Sequence, residues 1–290
     1  MTLYEFVLAP FVEFGFMRRA LVGCAALALG SAPVGVFLML RRLSLTGDAM
    51  AHAILPGAAV GFLVAGLSLP AMTLGGLAAG LAVALLAGVV SRTTVLREDA
   101  TLASFYLISL AAGVLIVSLR GSNVDLMHVL FGTVLALDDA ALFLLAGIAS
   151  VTMLAMALLW RPLVLECVDP AFLRSVSRTS GLAHATLLVL VVINLVGGFQ
   201  ALGTLLAVGL MILPAASARF WTHNLAPMIG IAVLFALAAA VAGLILSYHA
   251  GLPSGPAIIL AAGAGWLASL LFGSAGGVAR RLWPARHLEA

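Results

Sequence analysis

The sequence predicts an all-α, polytopic membrane protein. Hydrophobic residues make up 64% of the 290-residue chain and charged residues only 9%, whereas a typical soluble domain has about 25% charged residues. The mean hydropathy is +1.23. Apolar runs of roughly 20 residues, the length that a helix needs to cross a bilayer, follow one another along the chain. The strict alternation of a membrane β-barrel is absent.

The first element is predicted to be a short interfacial helix over residues 3–17, where apolar residues are interspersed with Glu5 and Glu13. Such a mixture is typical of an amphipathic helix that lies on the membrane surface. A cleavable signal peptide is not indicated, because Arg18 and Arg19 come late and the apolar run behind them is full length.

Nine membrane-spanning helices are expected after this segment. Their approximate ranges are 18–40, 46–66, 70–90, 100–118, 140–160, 183–199, 201–220, 226–248 and 254–272. Pro33 lies inside the first range and Pro56 inside the second, so kinks are expected there. The whole chain, residues 1–290, is therefore interpreted as a single transmembrane domain.

The arginines predict the orientation of these helices. All 14 basic residues are arginine, and their bias toward cytoplasmic loops sets membrane topology. Eleven of them fall in segments that nine spans place on one side, namely 41–45, 91–99, 161–182, 219–225 and the tail 273–290. This side is predicted to be cytoplasmic and the N-terminus external, although Arg18 and Arg19 count against that orientation. The absence of lysine also excludes the P-loop that holds nucleotide phosphates.

A short helix is predicted within the long cytoplasmic loop 161–182. Asp169 followed by Pro170 is typical of a helix start, with an N-cap residue and then proline in the first turn. Gly181 can close such a helix. A helix at this surface is a natural docking element for a cytoplasmic protein.

The strongest candidate site lies in the segment RRLSLTGDAMAHAILPG at 41–57, which carries Asp48 and His52 at the start of the second span. Residues i and i+4 share one face of a helix, and a carboxylate and an imidazole together can bind a divalent cation. Ionisable groups within the membrane usually mark a pathway or a site. Two other roles remain open for Asp48, an N-cap or a partner of Arg41 or Arg42, and His52 could be a hydrogen-bonded packing residue.

A weaker candidate pair lies in the outer loop 119–139. Asp125 and His128 are spaced i, i+3 and could accept an ion outside the membrane, but an ordinary solvated loop explains them as well. Cys24 and Cys167 form no CxxC motif and are expected to be inert.

Two further polar positions predict architecture rather than chemistry. Asp138 and Asp139 are expected to cap the helix that begins at Ala140. Asn194, in the middle of the sixth span, is expected to hydrogen-bond to a neighbouring helix.

Four segments in a fixed order carry a resemblance to a known family. They are RRLSLTGDAMAHAILPG at 41–57, VDLMHVLFG at 124–132, VDPAFLRSVSRTSG at 168–181 and GTLLAVGLMILPAASAR at 203–219, supported by LPSGPAIIL at 252–260. Together they resemble the membrane permeases of bacterial ABC importers for zinc, manganese and iron ions. The resemblance implies a multi-pass permease of the bacterial inner membrane, with 1–290 as its transmembrane permease domain.

The resemblance also implies partners. Permeases of this family work as two copies with two cytoplasmic ATPase subunits, and an external solute-binding protein delivers the metal ion. ATP hydrolysis would then reside on a separate subunit. Membrane lipid would surround the permease, and no tightly bound cofactor is expected. Nucleic acid is not an expected partner.

Particular residues inherit roles from the resemblance. The family's pathway aspartate and histidine fall on Asp48 and His52. The helix that contacts the ATPase corresponds to 169–180, and its coupling residues would be Asp169, Pro170, Phe172 and Arg174. This helix departs from the family pattern, which has a small residue and a glycine near its middle, whereas FLRSVSRTSG stands here.

Zinc is the expected substrate, with manganese or iron as the alternative within the same family. The Asp–His pair cannot itself select among these ions, because zinc binds more tightly than manganese at almost any nitrogen and oxygen site. A proton-coupled secondary transporter remains a less favoured class, against which the long inner loop argues. An intramembrane metalloprotease is not supported, because no HExxH motif occurs.

Overall fold

The computed structural model describes residues 3–43, 46–66, 68–95, 98–119, 134–177 and 179–279. Within these ranges every regular element is a helix. The α-helices are α1 Leu3–Val7, α2 Ala9–Glu13, α3 Gly15–Leu40, α4 Thr46–Ala53, α5 Leu55–Ala65, α6 Leu69–Thr93, α7 Glu98–Leu119, α8 Asp139–Leu158, α9 Trp160–Val168, α10 Pro170–Val176, α11 Ser180–Leu202, α12 Thr204–Arg219, α13 Leu225–Ala250 and α14 Ser254–Phe272. A 3₁₀ turn, Val134–Ala136, precedes α8.

Each of the nine predicted spans corresponds to a helix or, for the second span, to the consecutive helices α4 and α5. Among the described residues, seven segments are long and apolar enough to cross a membrane. Two shorter apolar helices, Asp99–Gly113 and Thr204–Arg219, accompany them. The predicted fold class, an all-α multi-pass membrane protein, is confirmed.

The N-terminal segment differs from the single helix predicted over 3–17. Proline has no amide hydrogen and interrupts a helix, and Pro10 divides the segment into α1 and α2. Pro10 has no N–H to donate to the carbonyl of Phe6, and this carbonyl instead accepts a hydrogen bond from Nε2 of His249 at 3.0 Å. Extended backbone at Phe14 (φ −108°, ψ 116°) then ends α2 and precedes α3.

Two helices, α3 and α11, form the centre of the molecule. In each of them, 72% of the most apolar 18-residue stretch is buried. Helix α3 packs against α8, α11, α12 and α13, and it also contacts α9. Several buried residues of its second half belong to a core shared with α4, α6 and α7, whereas those of its first half belong to a core shared with α13 and α14. Asn194 of α11 donates to Thr152 Oγ1 of α8 at 2.8 Å, which confirms the predicted bridge between helices. The predicted cap is confirmed for Asp138, which accepts from the backbone amide of Ala141 at 2.8 Å, whereas Asp139 is already the first residue of the helix.

Polar contacts between helix ends form two groups, one on each predicted side of the membrane. Arg41, at the end of α3, lies 3.9 Å from Glu166 of α9. In contrast, Arg19 pairs with Asp139 at 3.2 Å, and His249 contacts the N-terminal helices. The segments predicted to be cytoplasmic therefore contact one another, as do those predicted to be external.

The start of the predicted docking helix is as expected, but its end is not. Asp169 Oδ1 accepts a hydrogen bond from the amide of Phe172 at 2.9 Å and caps α10. Gly181 does not close this helix and instead lies within α11. The helix ends earlier because Ser177 is extended (φ −145°, ψ 144°), and the Ser177 hydroxyl accepts from the amide of Thr179 at 3.2 Å.

Candidate functional site

The turn that leads into α4 contains an unusual backbone conformation. Arg42 has φ +60°, the left-handed region in which glycine is normally found. The amide of Arg42 bonds to Met39 O at 3.0 Å and that of Leu43 to Leu38 O at 2.9 Å, which satisfies carbonyls at the end of α3. A left-handed residue with a side chain costs about 1–2 kcal/mol, and buried Leu43 (5% exposed) helps to hold it.

Asp48 and His52 lie one turn apart on α4 with their side chains together. His52 Nε2 is 3.9 Å from Asp48 Oδ1, and the side chains are 34% and 66% exposed, respectively. The imidazole also packs against the ring of Tyr106 of α7, with centroids 6.2 Å apart. The structure thus brings the two predicted pathway residues onto one accessible face.

The structure argues against two of the alternative roles of Asp48, the N-cap and the partner of Arg41. α4 begins at Thr46, so Asp48 lies inside the first turn and is not the N-cap residue. Arg41 is engaged elsewhere, since its Nη1 donates to His184 Nδ1 at 2.6 Å and its Nη2 lies 3.9 Å from Glu166. A carboxylate in the first turn of a helix is still favoured by the helix dipole, and this contribution is compatible with metal binding.

Contacts with α7 and the protein core hold α4 in place. Met50, Ala53 and Ile54 are completely buried, and Ser109 of α7 donates to the carbonyl of Ala53 at 2.9 Å. The helix is interrupted at Ile54, just before Pro56, as the sequence predicted for this span. The backbone of Ile54 nevertheless stays helical (φ −74°, ψ −29°), so α4 and α5 follow each other closely, and α4 is anchored on one side and accessible at Asp48 and His52.

The ligands that one chain offers are few. In the ranges that the structure describes, no group of three or more His, Cys, Asp or Glu side chains could hold a metal ion. Burial raises the pKa of the Cys167 thiol to about 12, so the metal-binding thiolate is not formed near neutral pH. Asp125 and His128 lie outside the described residues. Two ligands suit transient binding better than a structural site, which uses four.

Helix α10, the predicted docking helix, has one anchored and one exposed side. Leu173 is only 3% exposed and belongs to the same core as α3 and α11. Phe172 and Val176 are 50% and 68% exposed. Arg174 Nε donates to Pro170 O at 3.2 Å, which leaves the guanidinium at the exposed end of the helix. An exposed apolar pair on a fixed helix is typical of a protein contact.

Comparison with known proteins identifies the family. The model of the ABC 3 transport family matches residues 13–273. The chain belongs to this family. It is 30% identical to the manganese transport system membrane protein MntC of Halalkalibacterium halodurans, over 96% of this chain and 94% of that protein.

Other ABC 3 family relatives agree along most of the chain. The manganese import system permease protein ScaB of Streptococcus parasanguinis is 31% identical over 86% of this chain and 87% of its own length. Among solved structures, PsaBC from Streptococcus pneumoniae in complex with Fab matches with a TM-score of 0.81 and 28% identity, covering 94% of this chain and 97% of that chain. The resemblance seen in the sequence is confirmed, and the chain is a permease of a metal-ion ABC transporter.

Sequence reasoning missed two features near the site. One is Tyr106 beside His52, which no local pattern indicates. The other is a set of buried polar residues around Arg41 and Glu166. Glu166 did carry a signal, because a lone carboxylate in the apolar run LVLECV is costly to bury unless it has a partner.

Proposed function

We propose that this ABC 3 family chain is the permease subunit of an ATP-driven importer of manganese ions. The observation that carries the proposal is the Asp48–His52 pair, 3.9 Å apart on an accessible face of a helix within a membrane span. The relatives named for manganese favour the manganese alternative over zinc, which the sequence alone had favoured. Two copies of the chain would work with two cytoplasmic ATPase subunits and an external solute-binding protein.

The pair has the chemistry that a transit site requires. A carboxylate offsets part of the charge of a divalent ion, and carboxylate and imidazole ligands both suit divalent first-row metals. The open side of Asp48 leaves room for water or for the corresponding pair of a second copy to complete the coordination. Binding by so few protein ligands is weak enough to allow release.

The energy source is proposed to be a separate ATPase. This chain has no lysine and so no P-loop of its own. The exposed Phe172 and Val176 of α10 supply an apolar surface on the predicted cytoplasmic side. We assign the ATPase contact to this surface, with Asp169, Pro170 and Arg174 shaping the helix.

Uptake of radioactive manganese tests the proposal. The permease is produced with its ATPase and solute-binding protein in cells that lack their own manganese importers. We expect manganese to accumulate, to be competed by excess unlabelled manganese, and to stop when the ATPase carries an inactivating substitution in its P-loop.

Two results would contradict the proposal in different ways. Accumulation of zinc but not manganese would show that zinc is the transported ion. Manganese uptake that survives ATPase inactivation but collapses when the proton gradient is dissipated would indicate a secondary transporter.

A further inference from the structure

Four buried polar side chains meet at the end of α3, on the side of the docking helix. Arg41 Nη1 donates to His184 Nδ1 at 2.6 Å, and Arg41 Nη2 lies 3.9 Å from Glu166 Oε1. The Ser180 hydroxyl donates to the second carboxylate oxygen, Oε2, of Glu166 at 2.6 Å. The side chain of Glu166 is 2% exposed and that of Arg41 11%. We call these four residues the buried charge cluster.

The buried charge cluster joins three helices, and two of them, α9 and α11, contact the proposed docking helix α10. Arg41 follows α3, Glu166 lies in α9, and Ser180 and His184 lie in the first turns of α11. Glu166 precedes Asp169, the cap of α10, by three residues, and Arg41 precedes Asp48 by seven. The cluster therefore stands between the proposed ATPase contact and the proposed ion pathway.

Other contacts hold α9 against α3 at the same place. The Cys167 thiol lies 3.9 Å from the carbonyl of Phe37, and the rings of Phe37 and Trp160 meet edge to face with centroids 6.0 Å apart. The ring contact is apolar and the thiol is a weak donor, so both favour proximity but fix direction less strongly than hydrogen bonds to charged groups.

Glu166 of α9 instead accepts a directional hydrogen bond from Ser180 of α11 and forms an ion pair with Arg41. Arg41 in turn donates a directional hydrogen bond to His184, so the end of α3 is oriented on α11 and α9 is held to both.

Stability alone does not explain the buried charges. Removing two charges from water is costly, and well-packed apolar residues of similar size often serve the fold as well or better. A charged pair with directional hydrogen bonds does something that apolar residues cannot, because it fixes the register of the elements that it joins.

We propose that the buried charge cluster is the mechanical link that makes α9, the end of α3 and the start of α11 move as one unit. Movement of α10 on the ATPase is then transmitted through Glu166 and Arg41 to the turn before α4, and so to Asp48 and His52. The inference rests on the proposed function, and it assigns Arg41 and Glu166 as positioning residues for transport.

The test measures the manganese moved per ATP hydrolysed separately from the assembly of the complex. The double variant Arg41→Met with Glu166→Met removes both charges and keeps the volume apolar, so the complex is expected to assemble and hydrolyse ATP. In proteoliposomes containing the ATPase and supplied with the manganese-loaded solute-binding protein, manganese moved per ATP should fall about ten-fold, a typical size for coupling between sites. Arg161→Met, which removes an exposed charge from the same helix, should keep the parent ratio.

A ratio equal to that of the parent in the double variant would show that the cluster only supports the fold, and would overturn the proposal. Should the double variant fail to assemble, Glu166→Asp decides. This change keeps the charge but shortens the side chain, so it cannot reach both Arg41 and Ser180. A lowered ratio with normal assembly supports the link, and an unchanged ratio refutes it.

A second measurement separates this inference from the proposed function. Spin labels at Val168 of α9 and Leu182 of α11, which are 75% and 57% exposed, report the distance between two of the linked helices without any transport, in a background lacking Cys24 and Cys167. In the parent complex we expect a narrow distribution that nucleotide leaves unchanged, and in the double variant one that nucleotide shifts or broadens. A narrow, unchanged distribution in the double variant refutes the link, even if the parent moves no manganese and the proposed function itself fails.

Discussion

Replacing Asp48 by asparagine removes one charge from the proposed ion pathway with almost no change in shape. Two unit charges about 4 Å apart interact by about 1 kcal/mol in water and about 4 kcal/mol at an effective dielectric constant of 20. A divalent ion doubles these values, to about 2 and about 8 kcal/mol. Because the Asp48 side chain is 66% exposed, the lower value applies, and it corresponds to roughly 30-fold weaker binding.

The assay is the initial rate of radioactive manganese uptake at concentrations well below saturation. Asp48→Asn should lower this rate by about 30-fold or more, and His52→Ala should also reduce uptake strongly, while expression and ATPase association remain normal. Asp138→Asn is the matched control. Asp138 is a helix cap on the side of the membrane predicted to be external, and asparagine caps about as well as aspartate, so uptake should stay near the parent level.

One outcome would refute the proposed role of the Asp48 charge. If Asp48→Asn transports manganese at the parent rate, the carboxylate does not offset the charge of the ion. Its role would then be limited to the first turn of α4, where asparagine serves nearly as well, and the pathway assignment of Asp48 would be withdrawn.

Three further predictions concern the scaffold and its orientation. Asp169→Ala should destabilise the start of α10 by about 1 kcal/mol and reduce the amount of ATPase that co-purifies with the permease, whereas Asp169→Asn should not; equal co-purification of both would contradict the docking role. Gly57→Ala should lower the melting temperature and the yield of folded protein, because a Cβ there would overlap the backbone of α6, while Gly147→Ala has open space and should be neutral. Single cysteines at Ser122 and Ser175, in a background without native cysteines, should react with an impermeant reagent from opposite sides of the membrane, and labelling of both in intact cells would exclude the predicted topology.

The parts of the fold that depend on neighbouring residues were predictable. The nine apolar segments follow from the apolar runs, since a bilayer requires an apolar helix of a set length, and in the described residues seven of the nine reach that length. The caps at Asp138 and Asp169 follow from short patterns, because a cap bonds to an amide three residues away. The pairing of Asp48 with His52 follows from the helical repeat.

Errors arose where a local pattern had more than one solution. Gly181 can end a helix, but the extended Ser177 ended α10 first and the glycine was included in α11. The amphipathic pattern over 3–17 suited one helix, yet Pro10 divided it and His249, from the distant end of α13, bonded to the carbonyl left free.

The sequence by itself determined the membrane environment, the apolar helical segments, two of the helix caps and the shared face of Asp48 and His52 on α4. Only the tertiary structure decided which side chains surround them. Arg41 and His184 are separated by 143 positions, and Tyr106 reaches His52 from another helix. Such contacts depend on how helices pack, and packing is set by the combined shape of many side chains, which no single stretch of sequence contains.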